Sequence, residues 1–306
     1  MTSDEKIRLD FVVLGAQKAG TTTLHNWLSS HPKIALPIFK ETHFFSHKNI
    51  RARGMKWYLQ QFPDANDGTL IGEVDPEYLF APSAPTEIAS KTTAKKFIVL
   101  LRHPLERALS QYFMSFRRGY ERKSFADALS LENTRLSDDP DGFAADNQSY
   151  TVRSLYTDQI ARFQDAFPTG KFLFQRSDSL DEHGYRRICE FIGVEPAVEN
   201  INFEARSNTA SGVRSSFLRD ALYAPDGKSA LRRLLVKAIP ASAKRQIFLT
   251  IDRANQKGLD DDRAAMMATA ADAVLRAMLD DLGRLEPVVG LDLADWRSDI
   301  ERRLKP

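Results

Sequence analysis

The chain has 306 residues, long enough for one large α/β domain or for a core domain with a helical appendage. Hydrophobic residues make up 42% and charged residues 27%, and a net charge of +2 leaves no bulk electrostatic case for nucleic acid, so any basic site for an anion is local. The single cysteine, Cys189, excludes an intramolecular disulfide and a cysteine-rich metal site, and it fits a reducing compartment, so a cytoplasmic location is expected.

Residues 1–10 are polar and charged, with no apolar stretch after a basic start, and no secretory signal is expected. No apolar run approaches the ~18 residues of a spanning helix. Residues 9–14 form a short apolar, β-branched run that stops at Gly15 and predicts a buried parallel strand. Residues 21–30 carry Leu24, Trp27 and Leu28 at helical spacing, and His31-Pro32 ends that helix. Further strands are predicted at 33–36, 69–74, 96–101 and 171–174, with helices at 57–62, 84–90, 105–116, 154–167 and 185–192. Strands alternating with helices predict an α/β fold with a mostly parallel central sheet covered on both faces. Residues 120–150 and 195–215, richer in Asp, Asn, Ser and Gly, are predicted loops. Beyond residue 215 no strand is predicted, and helices are expected at 218–223, 229–239, 241–255 and 263–285. The expected organisation is one domain over 1–306, with an α/β core at 1–214 and a helical C-terminal lobe at 215–306.

The first strand runs into Gly15-Ala16-Gln17-Lys18-Ala19-Gly20-Thr21-Thr22-Thr23 and then a helix. Small residues let successive backbone N–H groups turn into one concavity, and the helix N-terminus adds unpaired donors and partial positive charge. The hydroxyls of Thr21, Thr22 and Thr23 and the Lys18 ammonium complete an anion site. A nucleotide triphosphatase loop would place Gly-Lys-Ser/Thr at its end, lysine on the β/γ-phosphates and hydroxyl on Mg²⁺. Here Thr21 follows Gly20 directly, and the lysine stands two residues earlier. That placement argues against ATP hydrolysis and for another phosphate-bearing ligand. The second strong strand leads into Arg102-His103-Pro104-Leu105-Glu106-Arg107-Ala108-Leu109-Ser110, with an arginine at the strand end where α/β sheets bind ligands.

Gln17-Lys18-Ala19-Gly20-Thr21-Thr22 resembles the 5′-phosphosulfate loop of sulfotransferases that use 3′-phosphoadenosine 5′-phosphosulfate (PAPS), closest to the carbohydrate branch with the heparan sulfate enzymes and their bacterial relatives. The resemblance implies a three-layer P-loop-like fold, PAPS as donor, adenosine 3′,5′-bisphosphate as product and no metal. It implies that Arg102 and Ser110 contact the donor's 3′-phosphate, where a guanidinium grips in a way ammonium does not. Arg153-Ser154-Leu155-Tyr156 resembles the segment near the adenine, which brings in Tyr156. Ser211-Gly212-Val213-Arg214 resembles a basic loop over the 3′-phosphate, which brings in Gly212 and Arg214. Gly290 to Trp296 resembles the family's ending, with Trp296 read as a core anchor.

Lys40-Glu41-Thr42-His43-Phe44-Phe45 resembles the family's Glu-x-His-Phe-Phe element. It implies Glu41 as general base, with His43 orienting the acceptor or serving as alternative base, while Lys18 stabilises the leaving phosphate. One departure stands out. Where the family often carries a lysine, in Gly72-Glu73-Val74-Asp75-Pro76-Glu77-Tyr78, this chain has Val74, which weakens the case for a highly anionic acceptor. Arg51, Arg53 and Lys56 are candidates to supply that charge. The implied acceptor is a hydroxyl, on a carbohydrate or glycolipid. The competing readings are a P-loop-like small-molecule kinase and a non-catalytic nucleotide-binding module, whose basic stretch 228–245 would meet a membrane surface or an acidic partner.

Overall fold

The computed structural model describes residues 6–63, 68–199, 201–204, 212–213, 256–257 and 260–304. In chain order the elements begin β1 (Phe11–Gly15), α1 (Thr21–Ser29), β2 (Ile34–Ala35), α2 (Lys48–Arg51), α3 (Met55–Leu59), β3 (Leu70–Val74), α4 (Ala84–Lys91) and β4 (Lys96–Leu101). They continue with α5 (Pro104–Arg117), α6 (Phe125–Asp138), α7 (Phe143–Asn147), α8 (Thr157–Ala166), β5 (Lys171–Arg176) and α9 (Glu182–Ile192). Last come β6 (Gly212–Val213), β7 (Gln256–Lys257), α10 (Asp260–Met267), α11 (Asp272–Val289) and α12 (Ala294–Glu301).

The chain forms two compact units. The first comprises Met1–His103, Leu155–Asn208 and Leu279–Asp299; the second comprises Pro104–Ser154, Thr209–Met278 and Ile300–Pro306. The first unit holds a five-stranded sheet in the order β2-β3-β1-β4-β5, with every pairing parallel. This is the expected α/β class. β1 is buried along its whole length and β4 everywhere but Lys96, as strands covered on both faces are. Gly72 allows β3 to approach β1 closely: a Cβ there would stand 2.1 Å from the Phe11 ring. Because β1, β3 and β4 are adjacent and parallel, the segments that follow Gly15, Val74 and Leu101 leave the sheet at one edge. Backbone bonds hold them there, from Ala16 N–H to Leu100 O at 2.7 Å and from Asp75 N–H to Val13 O at 3.1 Å.

Three expectations about elements are corrected. The helix expected from residue 154 begins at Thr157, after a 3₁₀ turn at Val152–Ser154. Its N-terminus is capped from far along the chain: Asp281 accepts Tyr156 N–H at 2.6 Å and Thr157 N–H at 3.2 Å. The predicted loop at 120–150 contains α6 and α7 in the second unit. Ser124 caps α6 by accepting Asp127 N–H, and Phe125, Ala128, Leu129 and Glu132 form its buried stripe. Strands do not stop at residue 215, since β7 pairs antiparallel with β6. The expected helices at 218–223, 229–239 and 241–255, and the basic stretch 228–245, lie outside the described residues. Trp296 is a core anchor as expected, 3% exposed with the Arg176 guanidinium 4.8 Å above its ring. Among the described residues no helix is long and apolar enough to cross a membrane.

Candidate active site

The edge formed by β1, β3 and β4 in the first unit carries the predicted phosphate loop. α1 starts at Thr21 behind Gly20, which takes φ 94°, and no side chain caps the helix. A helix start is where backbone N–H groups and partial positive charge meet an anion. Thr21 and Thr23 are buried, Thr22 is half-buried, and Ala19 is fully enclosed, while Gln17, Lys18 and Gly20 are partly exposed. Arg102, following β4, donates from a guanidinium nitrogen to the Lys18 carbonyl at 3.2 Å, so the arginine and the loop meet. Tyr156 donates to the Arg102 carbonyl at 2.8 Å and steadies that corner.

The second part of the site is the segment 40–45. Phe44 and Phe45 are buried and pack on Tyr58 at centroid distances of 4.7 and 5.1 Å. Thr42 also points inward, donating to Glu73 Oε1 at 2.5 Å. With Thr42 and the phenylalanines as anchors, Glu41 and His43 alternate toward the partly exposed side. Lys18, Glu41 and His43 are the non-glycine residues with positive φ among those described, at 73°, 65° and 55°. A side chain in this region costs energy, and such conformations gather where geometry serves function.

Glu41 is ion-paired with Lys40. Burial lowers the Lys40 pKa to about 8, against the pull of Asp75. Burial, together with the Lys40 charge, lowers His25 on α1 to about 4. Beneath the segment, Glu73 is fully buried and receives hydroxyl bonds from Thr42, Tyr58 at 2.6 Å and Tyr78 at 2.9 Å. Burial and the neighbouring Asp75 charge raise its pKa to about 7, although the three hydroxyls pull the other way. Asp75 Oδ2 accepts His43 N–H at 2.6 Å and stands 3.2 Å from His43 Nδ1.

The Glu73 environment has a measurable consequence. Its folded pKa lies above the ordinary 4.5, so its stabilising contribution is full below that pH and fades as pH rises through about 7. Glu73→Gln reproduces the protonated form in size and hydrogen bonding. The variant should match the wild type in acid and exceed it in thermal stability by on the order of 3 kcal/mol at mildly alkaline pH. Unfolding midpoints measured across that range check this, and a gap that does not widen with pH would refute it.

The other predicted residues are carried by further elements. Ser110 lies buried on α5 of the second unit, and Gly212 lies on β6 of that unit, paired with Lys257. Arg214 lies outside the described residues. Arg153 is buried, bonding Ser149 Oγ and the Ala145 carbonyl in the second unit. Val74 is 1% exposed in the core. Of the cations considered in its stead, Arg51 pairs with Glu87 and Arg53 stacks over Trp57. Lys40 is the one beside Glu41 and Asp75, and reading the motif alone passes over it. The alternation Glu73-Val74-Asp75 was a usable signal for two carboxylates on one face of a strand end. Among the described residues no three His, Cys, Asp or Glu side chains are placed to hold a metal ion.

A family profile described as a sulfotransferase domain matches residues 8–222. Heparan sulfate glucosamine 3-O-sulfotransferase 3A1 of Mus musculus is 27% identical over 195 residues, which cover 63% of this chain and 47% of that protein. The membrane-associated sulfotransferase kil1 of Dictyostelium discoideum is 37% identical over 111 residues, covering 35% of this chain and 23% of that one. The chain spans about half the length of the mouse 3-O-sulfotransferases it matches. The crystal structure of a sulfotransferase from Alicyclobacillus acidocaldarius superposes with a TM-score of 0.64 at 21% identity, covering 95% of this chain and 99% of that one, a likeness of fold. With the profile matching well over half of its length, the chain belongs to the sulfotransferase family.

Proposed function

We propose that this chain transfers a sulfuryl group from PAPS to a hydroxyl of a sugar-like acceptor. The observation that carries the reading is the start of α1 behind Gly20 and a loop holding Lys18, with Arg102 reaching that loop from β4. The loop offers the groups an anion needs, namely backbone N–H groups at a helix start, threonine hydroxyls and a lysine, while Glu41 belongs to the segment 40–45 and Glu73 and Asp75 to the end of β3. In the proposed reaction the acceptor oxygen attacks sulfur in line with the bridging oxygen, which departs with the phosphate. Glu41 takes the acceptor proton, Lys18 and the loop N–H groups meet the charge growing on the leaving phosphate, and Arg102 reads the 3′-phosphate. The sugar-like acceptor rests on the names of the heparan sulfate relatives. The kinase reading is weaker, because Lys18 stands ahead of Gly20 rather than after it. Calorimetry with adenosine 3′,5′-bisphosphate and with ATP tests the donor, and transfer from labelled PAPS to a panel of hydroxyl acceptors tests the reaction. Binding of ATP but not of the bisphosphate would refute the proposal.

Arg102→Ala should weaken adenosine 3′,5′-bisphosphate far more than adenosine 5′-phosphate, by ~1.5–3 kcal/mol for a lost charge-assisted contact. Because Arg102 also bonds the Lys18 carbonyl, a small loss common to both ligands is expected. Equal weakening of the two by calorimetry would show that Arg102 does not read the 3′-phosphate.

A further inference from the structure

Asp75 stands just past the C-terminal end of β3 with its side chain wholly buried. One of its oxygens takes both offerings of His43: the backbone N–H at 2.6 Å and, 3.2 Å away, the ring nitrogen Nδ1. The other oxygen accepts Glu77 N–H at 3.1 Å. The positive φ of 55° at His43 accompanies this double approach of one residue to one carboxylate. Nδ1 is buried and is not aligned for a hydrogen bond, so its contact with Asp75 is one of charge and distance. The side chain is nevertheless 36% exposed, so its exposure lies on atoms other than Nδ1. A buried carboxylate is costly unless an opposite charge answers it, and backbone N–H groups carry only partial charge.

We propose that Asp75 is a positioning residue that anchors His43 as an imidazolium, leaving the outer ring nitrogen to donate to the oxygens of the sulfuryl group in transfer. The proposal rests on the sulfotransferase reading. In this role His43 neither gains nor loses a proton during the step. The acceptor O–S bond forms, the bridging S–O bond breaks with its electron pair on the leaving phosphate, and the acceptor proton goes to Glu41. His43 then brings positive charge to a strand end where Val74 brings none. The groups around it act in both directions. Burial opposes the charged ring, but Asp75, Glu77 and Glu73 favour it, and the net effect raises the His43 pKa above the ordinary 6.5. Its neighbours include the cationic Lys40, which also feels Asp75, and the ring of His47, 5.0 Å from that of His43.

The test is a proton NMR titration of His43 in the full ligand-free chain, wild type against Asp75→Asn, followed by pH–rate profiles. His43 should titrate above 6.5 in the wild type and below it in the variant, where burial is no longer answered by the carboxylate. Turnover of Asp75→Asn should fall ~10-fold or more, and the alkaline limb of its profile should move to lower pH. If Asp75→Asn does not fold, His43→Lys and His43→Gln decide. Lysine keeps a positive charge at the position and should turn over at least ~10-fold faster than glutamine. An unchanged His43 titration in Asp75→Asn, or a glutamine variant as active as the lysine one, overturns the proposal. A wild-type chain that fails to bind adenosine 3′,5′-bisphosphate refutes the sulfotransferase reading instead, and leaves the titration result standing.

Discussion

Lys18→Ala should lower turnover by ~10²-fold or more, which corresponds to about 2.7 kcal/mol of lost transition-state stabilisation. Charge builds on the bridging oxygen and its phosphate as sulfur departs. A cation fixed beside that phosphate before the reaction begins is worth more than one recruited from solvent. The stem of Lys18 starts from a held backbone: φ is 73° and the carbonyl accepts the Arg102 guanidinium at 3.2 Å. The substitution removes the ammonium but leaves the carbonyl contact. Alanine and lysine pay similarly for a left-handed backbone, so stability should change little. Thermal unfolding separates the two effects. A variant as stable as the wild type with turnover down ~10²-fold supports the assignment, and near-normal turnover removes Lys18 from the mechanism. Lys18→Gly relieves the backbone and should be equally inactive, which distinguishes loss of charge from any benefit of relaxed conformation.

The way the site is built explains why some of it was readable from residues alone. β1 and β4 are runs of apolar residues bounded by Gly15 and by Arg102-His103-Pro104, and burial on both faces leaves them little freedom to be anything else. The proposed phosphate loop is equally local, since an anion cradle of this kind needs small residues, a lysine and a helix start within nine positions. What escaped was non-local. The start of α8 is set by Asp281, which lies 125 residues beyond Tyr156. The raised pKa of Glu73 comes from burial beneath Thr42, Tyr58 and Tyr78, residues with no periodic relation to it. α6 escaped for another reason: its exposed face is so rich in Ser, Asn and Asp that composition masks a stripe of Phe125, Ala128 and Leu129. Local chemistry names Glu41 and His43, but the carboxylate that meets His43 stands just past β3, 32 residues away.

Glu41→Gln should leave donor affinity nearly unchanged and reduce turnover by ~10²-fold or more. The substitution keeps the length of the side chain and most of its hydrogen bonding, but an amide does not accept a proton at neutral pH. Glu41 is suited to the task by placement: it is about one-third exposed beside the buried Thr42, its φ is 65°, and the Lys40 ion pair holds its carboxylate. His43 shares the segment but differs electrically, since Asp75 and the surrounding carboxylates favour a ring that already carries its proton. His43→Ala should therefore cost less than Glu41→Gln, acting through the placement and charge of the reacting groups rather than through proton removal. The measurement is turnover of both variants with one acceptor found in the labelled-PAPS screen, alongside calorimetry with adenosine 3′,5′-bisphosphate. If Glu41→Gln keeps most of its activity while His43→Ala is inactive, the roles are reversed: the histidine is the base, and Asp75 serves to raise its basicity.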